Sequence, residues 1–292
     1  MAELLAILAS FFYALNMVVA RVGLKDTDTF SAGILSMCFS LMGAIVAFVF
    51  VMPIHSISAR AVFFFAMAGF SGPCLGRLLL YLGIKRVGSA IASSLYSVKP
   101  LFAALAAVVL LGEKVTAGIG IGILIMIIGL SIISSSNSDA SPGKRWSKKD
   151  MIFPILAGLG YGFSHVFRKL GLNLNAEPLL GLLVQNIAAL FFPLIVIFWQ
   201  TNNNANRAWS SLRGWIIFGL AGICSTLGQI CLFMALSKGD VVIVAPLSTI
   251  SPLFVLLMAG LFLKGMDHIS WKIGMGCFFI LAATVLLTLY KN

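Results

Sequence analysis

The chain alternates long apolar runs with short polar breaks. Charges, prolines and asparagine clusters divide it into ten apolar segments, at approximately 3–22, 30–51, 61–84, 88–111, 116–136, 151–172, 178–200, 212–236, 240–263 and 269–290. About 20 apolar residues suffice to carry a helix across a bilayer, so each segment predicts a transmembrane helix. The runs are too long for membrane-barrel strands and lack alternation with a period of two. Breaks such as Lys85-Arg86-Val87 and Gly112-Glu113-Lys114 are very short and force neighbouring spans into antiparallel hairpins. The longest polar stretch, 134–150, is rich in Ser, Asn, Pro, Gly and Lys and cannot form a membrane helix.

The same text is written twice. Residues 7–24 read ILASFFYALNMVVARVGL and residues 155–172 read ILAGLGYGFSHVFRKLGL. The match pairs Tyr13 with Tyr161, Arg21 with Lys169 and Gly23-Leu24 with Gly171-Leu172. Further along, Lys99-Pro100-Leu101-Phe102 answers to Ser251-Pro252-Leu253-Phe254, Gly76 to Gly228 and Gly88 to Asp240. A constant offset of roughly 150 residues marks a duplication. The expected organisation is a first repeat at 1–136, a polar linker at 137–150 and a second repeat at 151–292. Each repeat carries five spans, an odd number, so the second enters the membrane from the opposite side. Such inverted repeats are a device of secondary transporters.

Composition narrows the class. The chain is 60% hydrophobic and 10% charged, with a mean hydropathy of +1.06. Soluble domains carry about a quarter charged residues, so this is read as an all-helical integral membrane protein. Met1-Ala2-Glu3 lacks the basic start of a secretory signal, and the first span is expected to stay in the fold. The net charge of +11 is scattered at the flanks of apolar runs, where anchoring is the plain reading, and no basic stripe suits nucleic acid. Cys38, Cys74, Cys224, Cys231 and Cys277 lie within apolar segments without a C-x-x-C pair, as reduced, buried thiols.

Pro100-Leu101-Phe102 through Leu110-Leu111-Gly112-Glu113-Lys114-Val115-Thr116, followed by Gly118, Gly120, Gly122 and Gly129, resembles the signature of the drug/metabolite transporter superfamily. Its EamA-type members pair two five-helix repeats. The resemblance covers nearly the whole chain. It implies a central cavity built from spans 1, 3, 4, 6, 8 and 9, with spans 5 and 10 peripheral. The second copy departs from it, with Leu263-Lys264-Gly265 in place of Leu-Gly-Glu. Independently of the resemblance, Gly118 with Gly122 and Gly158 with Gly162 are small-xxx-small pairs that let helix backbones approach, and Ala103, Ala104, Ala106 and Ala107 give span 4 a smooth face.

Two cations stand inside predicted spans. Lys99 sits near the middle of span 4, and Arg77 about two turns before the end of span 3. A charge at the bilayer centre costs about 2.5–3.5 kcal/mol on insertion scales. Every acidic residue falls near a span end or in a loop, so neither cation has an evident carboxylate partner. Their register partners are the neutral Ser251 and Gln229. Arg21 and Arg168, nearer span ends, are expected to snorkel to the interface. Three roles stand open for Lys99 and Arg77: holding an anion, gating, or bonding carbonyls freed where Pro100 loosens the helix. Tyr13, Asn16, Tyr96, Tyr161, Ser164, His165, Gln229 and Ser251 complete the candidate substrate-binding set.

Other chemistry is absent from the sequence. No phosphate loop, H-E-x-x-H, Cys/His cluster or G-x-S-x-G occurs, so neither enzyme chemistry, metal nor cofactor is expected. The function expected is secondary transport of a small metabolite by alternating access, the solute anionic or zwitterionic, such as an amino acid or organic acid. The alternatives are export of cationic or neutral compounds, or a non-transporting receptor or lipid-handling protein. A proton is a candidate coupling ion and a homodimer a candidate assembly; the bacterial plasma membrane is the expected location. The positive-inside count places both termini outside, whereas the resemblance implies cytoplasmic termini, the orientation favoured here.

Overall fold

The structure, a computed structural model, describes residues 1–25, 27–51, 58–112, 117–134, 147–174, 177–199, 211–262 and 271–289. These residues are helical throughout apart from short turns. In chain order they form α1 (Ala2–Gly23), α2 (Thr29–Val51), α3 (Ala59–Gly69), a wide π turn (Phe70–Gly76), α4 (Arg77–Val87), α5 (Ser89–Tyr96), α6 (Lys99–Leu111) and α7 (Ala117–Ser134). A 3₁₀ turn (Lys148–Met151) then leads into α8 (Ile152–Leu172), α9 (Pro178–Trp199), α10 (Leu212–Lys238), α11 (Val241–Leu247), α12 (Ser251–Phe262) and α13 (Trp271–Leu289). Among the described residues, six helical stretches are long and apolar enough to cross a membrane: Ala2–Gly23, Thr29–Phe50, Ala59–Val87, Ser89–Leu111, Leu212–Lys238 and Val241–Met258. Pro178–Leu194 is a shorter apolar helix. Glu113, His55, His268, Leu263-Lys264-Gly265 and most of the linker lie outside the described residues.

Three predicted continuous helices are not regular. The run expected at 61–84 widens into a π turn around Pro73, which has no N–H to give and crowds the carbonyl of the preceding turn. The run expected at 88–111 is two helices, with a turn at Ser97-Val98 before Lys99-Pro100. The run expected at 240–263 breaks in the same way before Ser251-Pro252. In both cases the proline opens the second helix, where its missing donor is harmless. The two breaks face each other. Ser97 Oγ points to the Thr249 carbonyl at 3.5 Å, and Lys99 Nζ lies 3.5 Å from the Ser248 carbonyl and 3.2 Å from Ser248 Oγ.

The halves pack reciprocally. α1 lies against α10 and α12, and α8 against α3 and α6; α2 lies against α10, and α9 against α3. α5 meets α12, α11 meets α6, and α7 packs chiefly on α13. The matched residues explain this exchange. A Cβ on Gly76 would sit 2.7 Å from the Tyr161 ring, and one on Gly228 2.8 Å from the Tyr13 ring. Each matched glycine therefore seats the matched tyrosine of the other half. In the same manner Gly23 receives Phe218 and Gly171 receives Phe65. Arg21 donates to the carbonyls of Ile84 and Lys85 at the end of α4, and its match Lys169 donates to those of Leu236 and Gly239 at the end of α10. A cation at a helix C-terminus satisfies carbonyls that have no helical partner.

Gly158 and Gly162 place α8 directly on the α6 break. A Cβ on Gly158 would lie 3.1 Å from the Tyr96 carbonyl, and one on Gly162 3.0 Å from the Lys99 carbonyl. Ala103 and Ala107, both fully buried, continue that seam. At the surface, Arg86 holds Asp150 at 2.6 Å, and this hydrogen bond keeps the Asp150 carboxyl below its ordinary range.

Gly162→Leu wedges α8 away from α6, and overpacking of this kind costs about 1–3 kcal/mol. It is expected to lower the melting temperature of the detergent-solubilised protein. Gly120→Ala, where a Cβ meets nothing within 4 Å, is expected to leave the melting temperature unchanged or slightly raised.

Candidate functional site

The centre of the molecule is built on one face of α8. Tyr161, Ser164, His165 and Arg168 recur at helical spacing, and of these Tyr161 meets Tyr96 at the end of α5. Lys99, opening α6, is 1% exposed. Its ammonium reaches Ser248 and lies over two phenol rings, 5.1 Å from the Tyr96 centroid and 5.9 Å from that of Tyr13. Tyr96 in turn meets Tyr161 edge-to-face, with centroids 5.4 Å apart. Ring faces are electron-rich, so Tyr13 and Tyr96 soften the burial of the ammonium without neutralising it.

Arg168 overturns the expectation of a snorkelling side chain: it is fully buried. Its Nε donates to Gln185 Oε1 and its guanidinium carbon lies 5.3 Å over the Phe233 ring. Its terminal nitrogens face the Tyr13 hydroxyl, without an acceptor in full hydrogen-bonding geometry. Lys99 lies over the Tyr13 ring, and the Tyr13 hydroxyl stands beside the Arg168 guanidinium, so the two cations border one region, with His165 one turn before Arg168 on α8. Both ring nitrogens of the buried His165 are unpartnered, as are the Tyr13 hydroxyl and the hydroxyls of Ser10 and Ser251. Groups of this kind are normally satisfied when buried. Here they gather on α1, α8 and α12, which pack around the α6 break. The set is rich in N–H and O–H donors, as an anion requires.

Arg77 belongs to a different environment. Its Nη1 donates to Ser36 Oγ at 3.2 Å and Ser40 Oγ at 3.1 Å, and its Nη2 to Ser225 Oγ at 2.6 Å. Tyr81 donates to Ser36, and Asn16 donates to the Tyr81 hydroxyl and the Ala221 carbonyl. Gln229 donates to Ser225, while its carbonyl oxygen accepts from Gln185 and Asn186. The network runs unbroken from Arg77 through Ser225, Gln229 and Gln185 to Arg168.

Comparison with known proteins decides the class. The profile of the EamA-like transporter family matches residues 1–135 and again residues 148–289. The chain belongs to the EamA-like transporter family. It is therefore an integral membrane protein concerned with transport of a small-molecule solute, and no enzyme family is involved. One solved crystal structure aligns over 99% of this chain and 96% of its own, with a TM-score of 0.73 and 14% identity, which shows a shared fold. No curated protein matches the chain.

Within this EamA-like transporter the candidate residues divide into two groups. Lys99, Tyr13, Tyr96, Tyr161 and His165 come together, and Ser251, at the register position of Lys99, opens α12 beside them. Arg77, Asn16 and Gln229 form the hydroxyl and amide network. Ser164 donates to the Ala68 carbonyl and ties α8 to α3. Arg77 shares no partner with Lys99, whereas Arg168 adjoins Lys99 through Tyr13. The signal for Arg168 was present in the spacing, since it continues the face of Tyr161, Ser164 and His165 by one turn. Gln185 carried no such signal, because its role depends on where α9 packs.

Arg77→Met removes the hydrogen bonds to Ser36, Ser40 and Ser225, and a buried hydrogen bond to a charged group contributes about 1.5–3 kcal/mol. It is expected to lower the melting temperature of the substrate-free transporter. Lys99→Met removes an uncompensated charge and is expected to leave that temperature unchanged or raised. Differential scanning fluorimetry of both variants checks the contrast.

Proposed function

We propose that this transporter moves a small anionic or zwitterionic solute, such as an amino acid, an organic acid or a phosphorylated metabolite, by alternating access. The carrying observation is the pair Lys99 and Arg168, both buried, with donors left open and no carboxylate beside them among the described residues. A guanidinium fork and an ammonium in one dry region are complementary to a carboxylate or phosphate. Export of a cation fits poorly, because the same region would repel it.

The architecture in this reading is ten spans arranged as two inverted five-helix repeats, 1–136 and 151–292, joined by the linker. The reciprocal seating of Tyr13 on Gly228 and Tyr161 on Gly76 supports it. Rocking of the halves about the facing breaks of α5–α6 and α11–α12 would open the Lys99 region to one side and then the other. Broken helices at the midplane, with backbone groups freed for a ligand, suit that task. The proposed location is the cytoplasmic membrane of a bacterium.

Vesicles reconstituted with the purified protein and offered a panel of labelled acidic, neutral and basic metabolites test this reading. Uptake of an acidic or zwitterionic member is expected. Lys99→Ala and Arg168→Gln are expected to reduce it at least tenfold at normal expression, while Ser237→Ala, at the exposed end of α10, stays close to the unmodified protein. Full transport by Lys99→Ala would remove the anion site from the mechanism.

A further inference from the structure

We infer that Gln185 is a positioning and specificity-determining residue: its side-chain carbonyl holds the Arg168 guanidinium toward the solute without neutralising it, and so sets the preference for an acid over the matching amide. The inference rests on the anion-transport reading above. Gln185 and Arg168 are both fully buried. Gln185 stands on α9 and reaches Arg168 because Gly69, closing α3, lets the α9 backbone come close; a Cβ on Gly69 would run into the Gln185 backbone carbonyl. Arg168 Nε donates to Gln185 Oε1 at 2.5 Å. That bond occupies Nε and leaves Nη1 and Nη2, which face the Tyr13 hydroxyl, and the Tyr13 ring is shared with Lys99. The two terminal nitrogens form the edge from which a carboxylate or phosphate accepts paired hydrogen bonds.

A glutamine can turn its amide over, which would set an NH₂ group against a guanidinium that only donates. The neighbours oppose this. Gln185 Nε2 donates to Gln229 Oε1 at 2.6 Å, and Asn186 Nδ2 donates to the same oxygen at 3.2 Å. Gln229 Nε2 donates to Ser225 Oγ at 3.1 Å, and that hydroxyl also accepts from Arg77 Nη2 at 2.6 Å. Arg77 is anchored in turn on Ser36 and Ser40. In this chain both amide carbonyls point toward the Arg168 end and both amide nitrogens toward the Arg77 end. Turning Gln185 over would forfeit its bonds to Arg168 and to Gln229 together. A glutamate at 185 would have nearly the same shape and hold Nε as well. It differs in charge: its carboxylate would pair with the guanidinium and compete with an acidic solute for it. The amide orients the arginine and supplies no such rival.

The experiment uses the full-length protein in vesicles. Uptake kinetics are measured for labelled glutamate and glutamine, aspartate and asparagine, and succinate and succinamate. For the acid that the unmodified protein carries, Gln185→Glu is expected to lower the acid-to-amide ratio of Vmax/KM at least tenfold, through a higher KM for the acid at similar Vmax. Gln185→Met removes the acceptor without adding charge, and is expected to slow acid and amide alike, with their ratio within about threefold of the unmodified protein. Gln229→Met releases the Gln185 amide and is expected to raise the KM of the acid at least threefold at similar Vmax. An unchanged ratio in Gln185→Glu, or an equal fall in Gln185→Met, overturns the specificity role while leaving anion transport intact. If Gln185→Glu is not recovered as a single species on size exclusion, Gln229→Met decides, and an unchanged KM there overturns the inference. Absence of acid uptake by the unmodified protein overturns the anion reading and this inference with it.

Discussion

Buried positive charge without a buried carboxylate among the described residues is the constraint around which the interior is organised. Lys99, Arg77 and Arg168 lie where water is excluded, and each is accommodated differently. Arg77 is enclosed by three seryl hydroxyls, so its guanidinium is held by dipoles and serves the frame. Lys99 has one seryl hydroxyl and two phenol faces, which orient the ammonium but leave its charge in place. Arg168 is held through Nε and the Phe233 ring, and its terminal nitrogens face only the Tyr13 hydroxyl. The gradation from enclosed to open cation separates scaffold from site more sharply than residue type does.

The scaffold reaches that arrangement through small residues. Gly158 and Gly162 let α8 lie on the backbone of the α6 break, which brings Tyr161, His165 and Arg168 level with Lys99. Without side chains between them, the helices approach closely enough for dispersion contacts to hold the bundle where the hydrophobic effect offers little. The amide chain of Gln185 and Gln229 then ties the Arg168 guanidinium to the Arg77 cluster. The site and the helix packing are in this way parts of one hydrogen-bonded body.

Much of this was legible in the residues. The apolar runs are long because lipid requires every backbone group to be satisfied within its own helix, and that requirement is written locally. The duplication was legible because Tyr13 and Tyr161 occupy equivalent seats on Gly228 and Gly76. The proline after Lys99 was legible as loosening the helix there, whereas the matching break before Ser251-Pro252 was not read from the sequence. Arg168 was misjudged on distance from a span end, although α8 turns it inward on the same face as His165.

The sequence by itself determined that the chain is a duplicated, helical membrane protein of the EamA type with cations stranded in its spans. Those conclusions depend on local hydropathy and on spacing within a helix, which a linear text carries. Only the tertiary structure decided which cation is partnered and which is open. Partnership depends on side chains far apart in sequence, such as Ser225 for Arg77 and Ser248 for Lys99, and folding alone brings them within bonding distance.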